Sequence, residues 1–167
     1  MKANKGFTLI ELLAVIVILA IIALIATPVI LGVVEDARKG AAKSSILGYI
    51  DAVEKQVMIN EMDEKATAIA DGTYTIDQLE TAGVKVKGDV PNKAYAVTVT
   101  VANDVATPTK VQTTGENPTD VVGVVIKGGE VQSTTFVTKD KRYDVTYDKA
   151  SGKAYVATHS STNFPEA

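Results

Sequence analysis

The chain has 167 residues, with 17 Lys and Arg against 20 Asp and Glu, one His, no Cys and no Trp, for a net charge of −3. That balance argues against duplex nucleic-acid binding, which calls for a basic face. The lack of Cys excludes disulfides, thiolate metal sites and Cys nucleophiles.

The length suits one domain plus an extra element. Apolar residues make up 46% of the chain and crowd into its first 34 positions. Leu12–Val34 is a run of 23 residues without a charge. As a helix it spans about 35 Å, enough to cross a hydrocarbon core of about 30 Å. A secretory signal peptide has a shorter apolar region, about 7–15 residues, before a small-x-small cleavage site. Here Ala23 and Ala26 lie inside the run, with Val29, Ile30 and Leu31 still to follow. Hydropathy alone leaves a plain transmembrane anchor open.

The residues before the run carry more information. Lys2 and Lys5 precede Gly6, with no acid among them, which favours a cytoplasmic N-terminus by the positive-inside rule. Glu11 sits between Ile10 and Leu12 at the edge of the apolar stretch, and it is the one charge between Lys5 and Glu35. A carboxylate there is costly and marks a functional candidate. The plainer alternative is a side chain that reaches up to the lipid headgroups.

Lys5-Gly6-Phe7-Thr8-Leu9-Ile10-Glu11-Leu12-Leu13, followed by an unbroken apolar helix, resembles the class III signal of type IV prepilins and type II secretion pseudopilins. The resemblance covers about residues 5–35 and implies several things. Residues 1–6 are a leader, cut between Gly6 and Phe7 by a membrane prepilin peptidase that then methylates the new Phe7 amine. Residues 7–34 are the transmembrane and polymerisation helix, and residues 35–167 an extracellular globular domain that includes the second half of that helix. Glu11 occupies the family's glutamate position and acts in assembly with Phe7, and Pro28 matches a helix-kinking proline. The implied partners are copies of the chain and other pilins in a helical filament, the peptidase, an assembly platform and, before assembly, the cytoplasmic membrane. No cofactor is implied. Loss of Lys2 and Lys5 would take the net charge from −3 to −5. The family's Gram-negative members often close a C-terminal loop with a disulfide, which this chain cannot do.

Further along, Ala42, Ile46, Ile50, Val53 and Val57 form one stripe of an amphipathic helix. Lys43, Asp51, Glu54 and Lys55 can lie off it. The pattern predicts one helix from about Thr8 to Met62. Pro28, which lacks an N–H and crowds the Leu24 carbonyl, should kink it, with Gly32 a second soft point. Thr75-Ile76-Asp77-Gln78 reads as a capping box and Gly83 as a stop, so Ile76 to Thr81 should be a short helix. Tyr95 to Val101 alternates as a half-buried strand. Val121–Ile126 and Val131–Val137 flank Gly128-Gly129, and Arg142–Tyr147 and Lys153–Thr158 flank a second turn, which predicts two hairpins. The expected fold class is α+β: the long helix packed on one antiparallel sheet of four or five strands, through its 42–57 stripe. Asn103 to Asp120 reads as an exposed loop.

Other chemistry is weakly marked. His159, beside Ser160 and Ser161, reads as an exposed tail residue rather than half of a nucleophilic pair. Asp140, Asp144 and Asp148 invite a Ca²⁺ reading, but turn and edge acids explain them, so no metal is assigned. No catalytic residue stands out, and a non-enzymatic structural subunit is the leading reading. A secretion pseudopilin is the alternative. A membrane-anchored extracellular enzyme or binding protein is the third, and would need a pocket of convergent polar groups within residues 70–167.

Overall fold

A computed structural model of the chain describes residues 6–64, 66, 68–86, 90–112 and 121–164. Lys2, Lys5 and residues 113–120 of the expected loop lie outside the described residues. The chain divides into two compact units, Met1–Arg38 and Lys39–Ala167. The architecture is α+β: a long helix followed by antiparallel sheets.

Helix α1 runs over Leu9–Met62, 54 residues, and contributes to both units. Within the first unit no described residue covers it. Every large apolar side chain from Phe7 to Val33 is at least half exposed, Val17 least so at 50%. Its most apolar 18-residue stretch has a mean hydropathy of 3.2. The helix continues through Pro28. Beside it, the Thr27 hydroxyl donates to the Ala23 carbonyl at 2.7 Å, one turn back, where Pro28 leaves Leu24 without an amide donor.

In the second unit the same helix buries one stripe: Ile46, Tyr49, Ile50, Val53, Val57 and Asn60. Each aliphatic side chain removed from water here stabilises the unit by about 1.5–3 kcal/mol. Tyr49 meets Phe136 edge to face, with ring centroids 5.9 Å apart. Strand β1 (Gly72–Tyr74) leads into α2 (Ile76–Thr81). The capping box is formed: the Gln78 amide donates to the Thr75 hydroxyl oxygen at 3.3 Å, and the Thr75 amide to the Gln78 side-chain oxygen at 2.8 Å. Gly83 takes a φ of 104° just beyond the helix, a conformation that only glycine adopts freely.

The remaining strands are β2 (Lys93–Ala102), β3 (Val105–Lys110), β4 (Val124–Lys127), β5 (Glu130–Val131), β6 (Thr134–Val137), β7 (Tyr143–Asp148) and β8 (Lys153–Thr158). They form two sheets rather than one, a three-stranded sheet in the order β1-β4-β5 and a five-stranded sheet in the order β3-β2-β6-β7-β8. The expected strand Val131–Val137 breaks at Gln132-Ser133, where the chain changes sheets. Gln132 donates its amide to Val125 at 2.8 Å, while the Ser133 carbonyl accepts from Val97 at 3.2 Å. The two predicted hairpins are present as β4–β5 and β7–β8.

Residues 105–110 of the expected loop form strand β3. Asn103 and Asp104 take φ values of 50° and 60°, the two left-handed residues that a tight hairpin turn requires. Pro108, opposite Val99, is tolerated because β3 lies at the sheet edge and needs no amide donor on its outer side.

One face of the five-stranded sheet, through Ala94, Phe136 and Val145, joins the α1 stripe in the main core. The opposite face gathers Tyr95, Val97 and Val137 with Phe164.

Candidate functional site: the amino-terminal segment

Gly6, Phe7 and Glu11 fall at or before the first turn of α1, while Pro28 and Gly32 lie within its apolar span. Phe7 is 92% exposed. Nothing comes within 4 Å of a Cβ placed on Gly6, so the fold of the chain itself does not call for glycine there. The same holds at Gly32.

Glu11 is engaged by Thr8, a partner the sequence reading passed over. The Thr8 amide and hydroxyl donate to Glu11 Oε2 at 2.9 and 2.7 Å. The Glu11 amide returns a bond to Thr8 Oγ1 at 3.3 Å, and the Leu12 amide donates to the Thr8 carbonyl at 3.3 Å. Thr8 is therefore the helix N-cap and Glu11 the third residue of its first turn, a reciprocal capping box. The Thr-x-x-Glu spacing was the available signal. The carboxylate also sits where the helix dipole favours negative charge.

The other candidate residues do not converge. Asp140 accepts from the Thr138 hydroxyl at 2.7 Å and the Arg142 amide at 3.2 Å. Partial burial opposes its charge most, but the Thr138 hydroxyl and the Arg142 amide and guanidinium together hold it below the usual carboxylate value. Asp148 caps the β7–β8 turn, accepting from the Ala150 and Ser151 amides at 3.2 Å and the Ser151 hydroxyl at 2.6 Å. Asp144 pairs with His159, Oδ1 to Nδ1 at 2.6 Å, and both side chains are under a tenth exposed. Burial pushes Asp144 up, partly offset by His159 and the Ser160 amide. His159 is thus a buried partner and not an exposed tail residue. Its amide also donates to the Arg142 carbonyl at 2.8 Å, which lays the tail along the sheet. Among the described residues no group of three or more acidic or His side chains is placed to hold a metal ion.

Glu54 lies off the buried stripe yet is tied to the sheet. Its Oε1 accepts the Val131 amide at 3.0 Å, so it ties α1 to β5 instead of lying free in solvent.

Together, the apolar helix headed by a capped carboxylate and the α+β unit after it make a pilin-like architecture. Residues 1–27 match the family model of the prokaryotic N-terminal methylation motif. Over 104 residues the chain is 35% identical to the major component PilA4 of the type IV wide pilus of Thermus thermophilus, a match covering 62% of this chain and 70% of that protein. No solved structure matches the chain. The chain belongs to the type IV pilin family.

Proposed function

We propose that the chain is the structural subunit of a type IV pilus, with no enzymatic role. The observation that carries this reading is the uncovered apolar helix, headed by the Thr8–Glu11 box directly after Gly6-Phe7. Residues 1–6 are a leader, and a membrane prepilin peptidase cuts after Gly6 and methylates Phe7. Residues 7–34 anchor the prepilin in the cytoplasmic membrane, with its N-terminus in the cytoplasm and residues 35–167 outside. An assembly platform then adds subunits to an extracellular filament of this chain and other pilins.

Within the bilayer, Glu11 sits near the headgroups and Thr8 satisfies part of its hydrogen-bonding capacity. Within a filament it lies among packed apolar helices, where a charge without a partner costs several kcal/mol. The Phe7 amine of a neighbouring subunit compensates it and selects one axial stagger. Pro28 and Gly32 are the points where the helix yields as subunits pack.

The test is electron microscopy of filaments sheared from cells, with mass spectrometry of their N-termini. Filaments built of chains that start at methylated Phe7 are expected. Filaments retaining Met1 would contradict the reading.

A further inference from the structure

The sheet face opposite the main core carries a cavity of about 250 Å³. Strand β7 contributes Asp144 and Thr146 to it, and the β2–β3 hairpin contributes Asp104, Val105 and Pro108. The C-terminal turn closes it with Ser160 and Phe164, which is itself held on the Tyr95 ring at 5.4 Å. The volume is below the roughly 300–1,000 Å³ of small-molecule sites, and suits one long side chain.

The charge of the lining decides what kind. Two carboxylates line the cavity, the exposed Asp104 and Asp144 with its His159 partner, and among the described residues no Lys, Arg or His lines it. An anion would be repelled. Asp144 is 4% exposed. Its Oδ1 meets His159 at 2.6 Å and its Oδ2 accepts from the Ser160 amide at 3.1 Å. A carboxylate offers about four acceptor positions, so both oxygens retain capacity for a further donor. Val105, Pro108 and Phe164 add hydrocarbon beside these acceptors. Lysine has the matching form, an aliphatic stem that packs on apolar surface and an ammonium with three donors.

We propose that this cavity is a socket for a lysine side chain from a second copy of the chain, forming a contact between subunits of the filament. The proposal rests on the pilin reading above. The chain supplies the complement, since Lys139 and Lys153 are exposed on its own globular unit.

Two measurements test it. The full chain in detergent micelles is titrated with Nα-acetyl-lysinamide while the amide NMR signals of Ser160 and Phe164 are followed. The expected result is a saturable shift, absent with Nα-acetyl-norleucinamide, which keeps the stem and lacks the ammonium. Asp104→Asn should weaken the response by roughly two- to fivefold, as expected for one solvent-facing charge pair. No shift with the lysine probe, an equal shift with norleucine, or a shift with methyl glucoside alone would overturn the assignment. In sheared filaments, carbodiimide should link Asp104 to a lysine of a neighbouring subunit. Well-formed filaments with Asp104 and Asp144 both unlinked would leave the pilin reading standing and remove the socket.

Discussion

A single oxygen of Glu11 accepts both hydrogen bonds that Thr8 donates, from its amide at 2.9 Å and its hydroxyl at 2.7 Å. The residue expected to act between subunits is therefore already held within its own chain. In the proposed filament the neighbour's Phe7 amine would add to this bond or displace it. Charge favours the amine, because it would bring a full positive charge to a carboxylate whose two Thr8 donors are neutral.

Thr8→Ala removes the N-cap hydroxyl and keeps the amide. Loss of an N-cap side chain costs about 1 kcal/mol of helix stability. In micelles, amide hydrogen exchange at Glu11 and Leu12 should speed up by about fivefold, the rate equivalent of that energy. Exchange at Ile50 should not change. Equal protection of Glu11 and Leu12 in both proteins would mean that the box does not hold the first turn.

Gly6→Val tests processing. A Cβ at Gly6 meets nothing within 4 Å, so the substitution should leave folding and membrane insertion intact. The uncut chain should accumulate in the cytoplasmic membrane, still carrying Met1 by mass spectrometry. Normal maturation of the variant would show that the peptidase does not require glycine.

Much of this fold was legible because its signals are local. The 42–57 stripe and the Thr75–Gln78 box each lie within a few turns of chain, and both appear as read. Three features were not legible. Asn103-Asp104 forms a hairpin turn, but Thr, Pro and Gly downstream gave the region a loop composition. The break at Gln132-Ser133 depends on Val97, on a strand some 36 residues earlier, as well as on the nearby Val125. His159 is buried by Asp144, 15 residues away. In the site itself, Gly6, Phe7 and Glu11 stood out by residue type, whereas Thr8 was marked only by its Thr-x-x-Glu spacing.

Glu54 provides a stability test. Its carboxylate holds the Val131 amide at 3.0 Å, and Val131 is fully buried. Glu54→Ala leaves that amide without its acceptor, a loss of about 1–3 kcal/mol. The melting temperature of the detergent-solubilised chain should fall by several degrees. Glu61→Ala, at an exposed position on the same helix, should change it little. Equal melting of the two variants would exclude a structural role for Glu54.

Asp144 and Asp140 should titrate in opposite directions from the ordinary aspartate value of 3.8. Burial raises Asp144, whereas at Asp140 partial burial is outweighed by the Thr138 hydroxyl and the Arg142 amide and guanidinium, which lower it. Side-chain carboxyl NMR resolves the two midpoints directly. The linkage signs differ accordingly. The stability tied to Asp144 is fully present below its unfolded pKa and is lost as pH rises through its higher folded value. The stability tied to Asp140 is present above its unfolded pKa and is lost as pH falls through its lower folded value. A midpoint for Asp144 below that of Asp140 would refute the assignment.

Glu11→Gln is the decisive substitution for assembly. Glu11 is the one charge between Lys5 and Glu35, and its side chain projects from the first turn of a helix whose large apolar residues from Phe7 to Val33 are at least half exposed. Glutamine keeps the size and the acceptor oxygen, so it can still receive the Thr8 amide and complete the capping box. Membrane insertion and cleavage after Gly6 should therefore continue. What disappears is the charge, and with it the preference for the one stagger that places Glu11 against a neighbour's Phe7 amine. Filament yield from cells carrying Glu11→Gln as the sole subunit should drop at least tenfold, the effect of about 1.4 kcal/mol per added subunit. Glu61→Gln should assemble normally and is a better control than Glu54→Gln, since Glu54 is tied to Val131. Electron microscopy of sheared material, with immunoblots of the membrane fraction, separates failed assembly from failed insertion. Wild-type numbers of filaments from Glu11→Gln would show that the carboxylate's charge does not set the register, and would leave the Thr8–Glu11 bond as a helix cap alone.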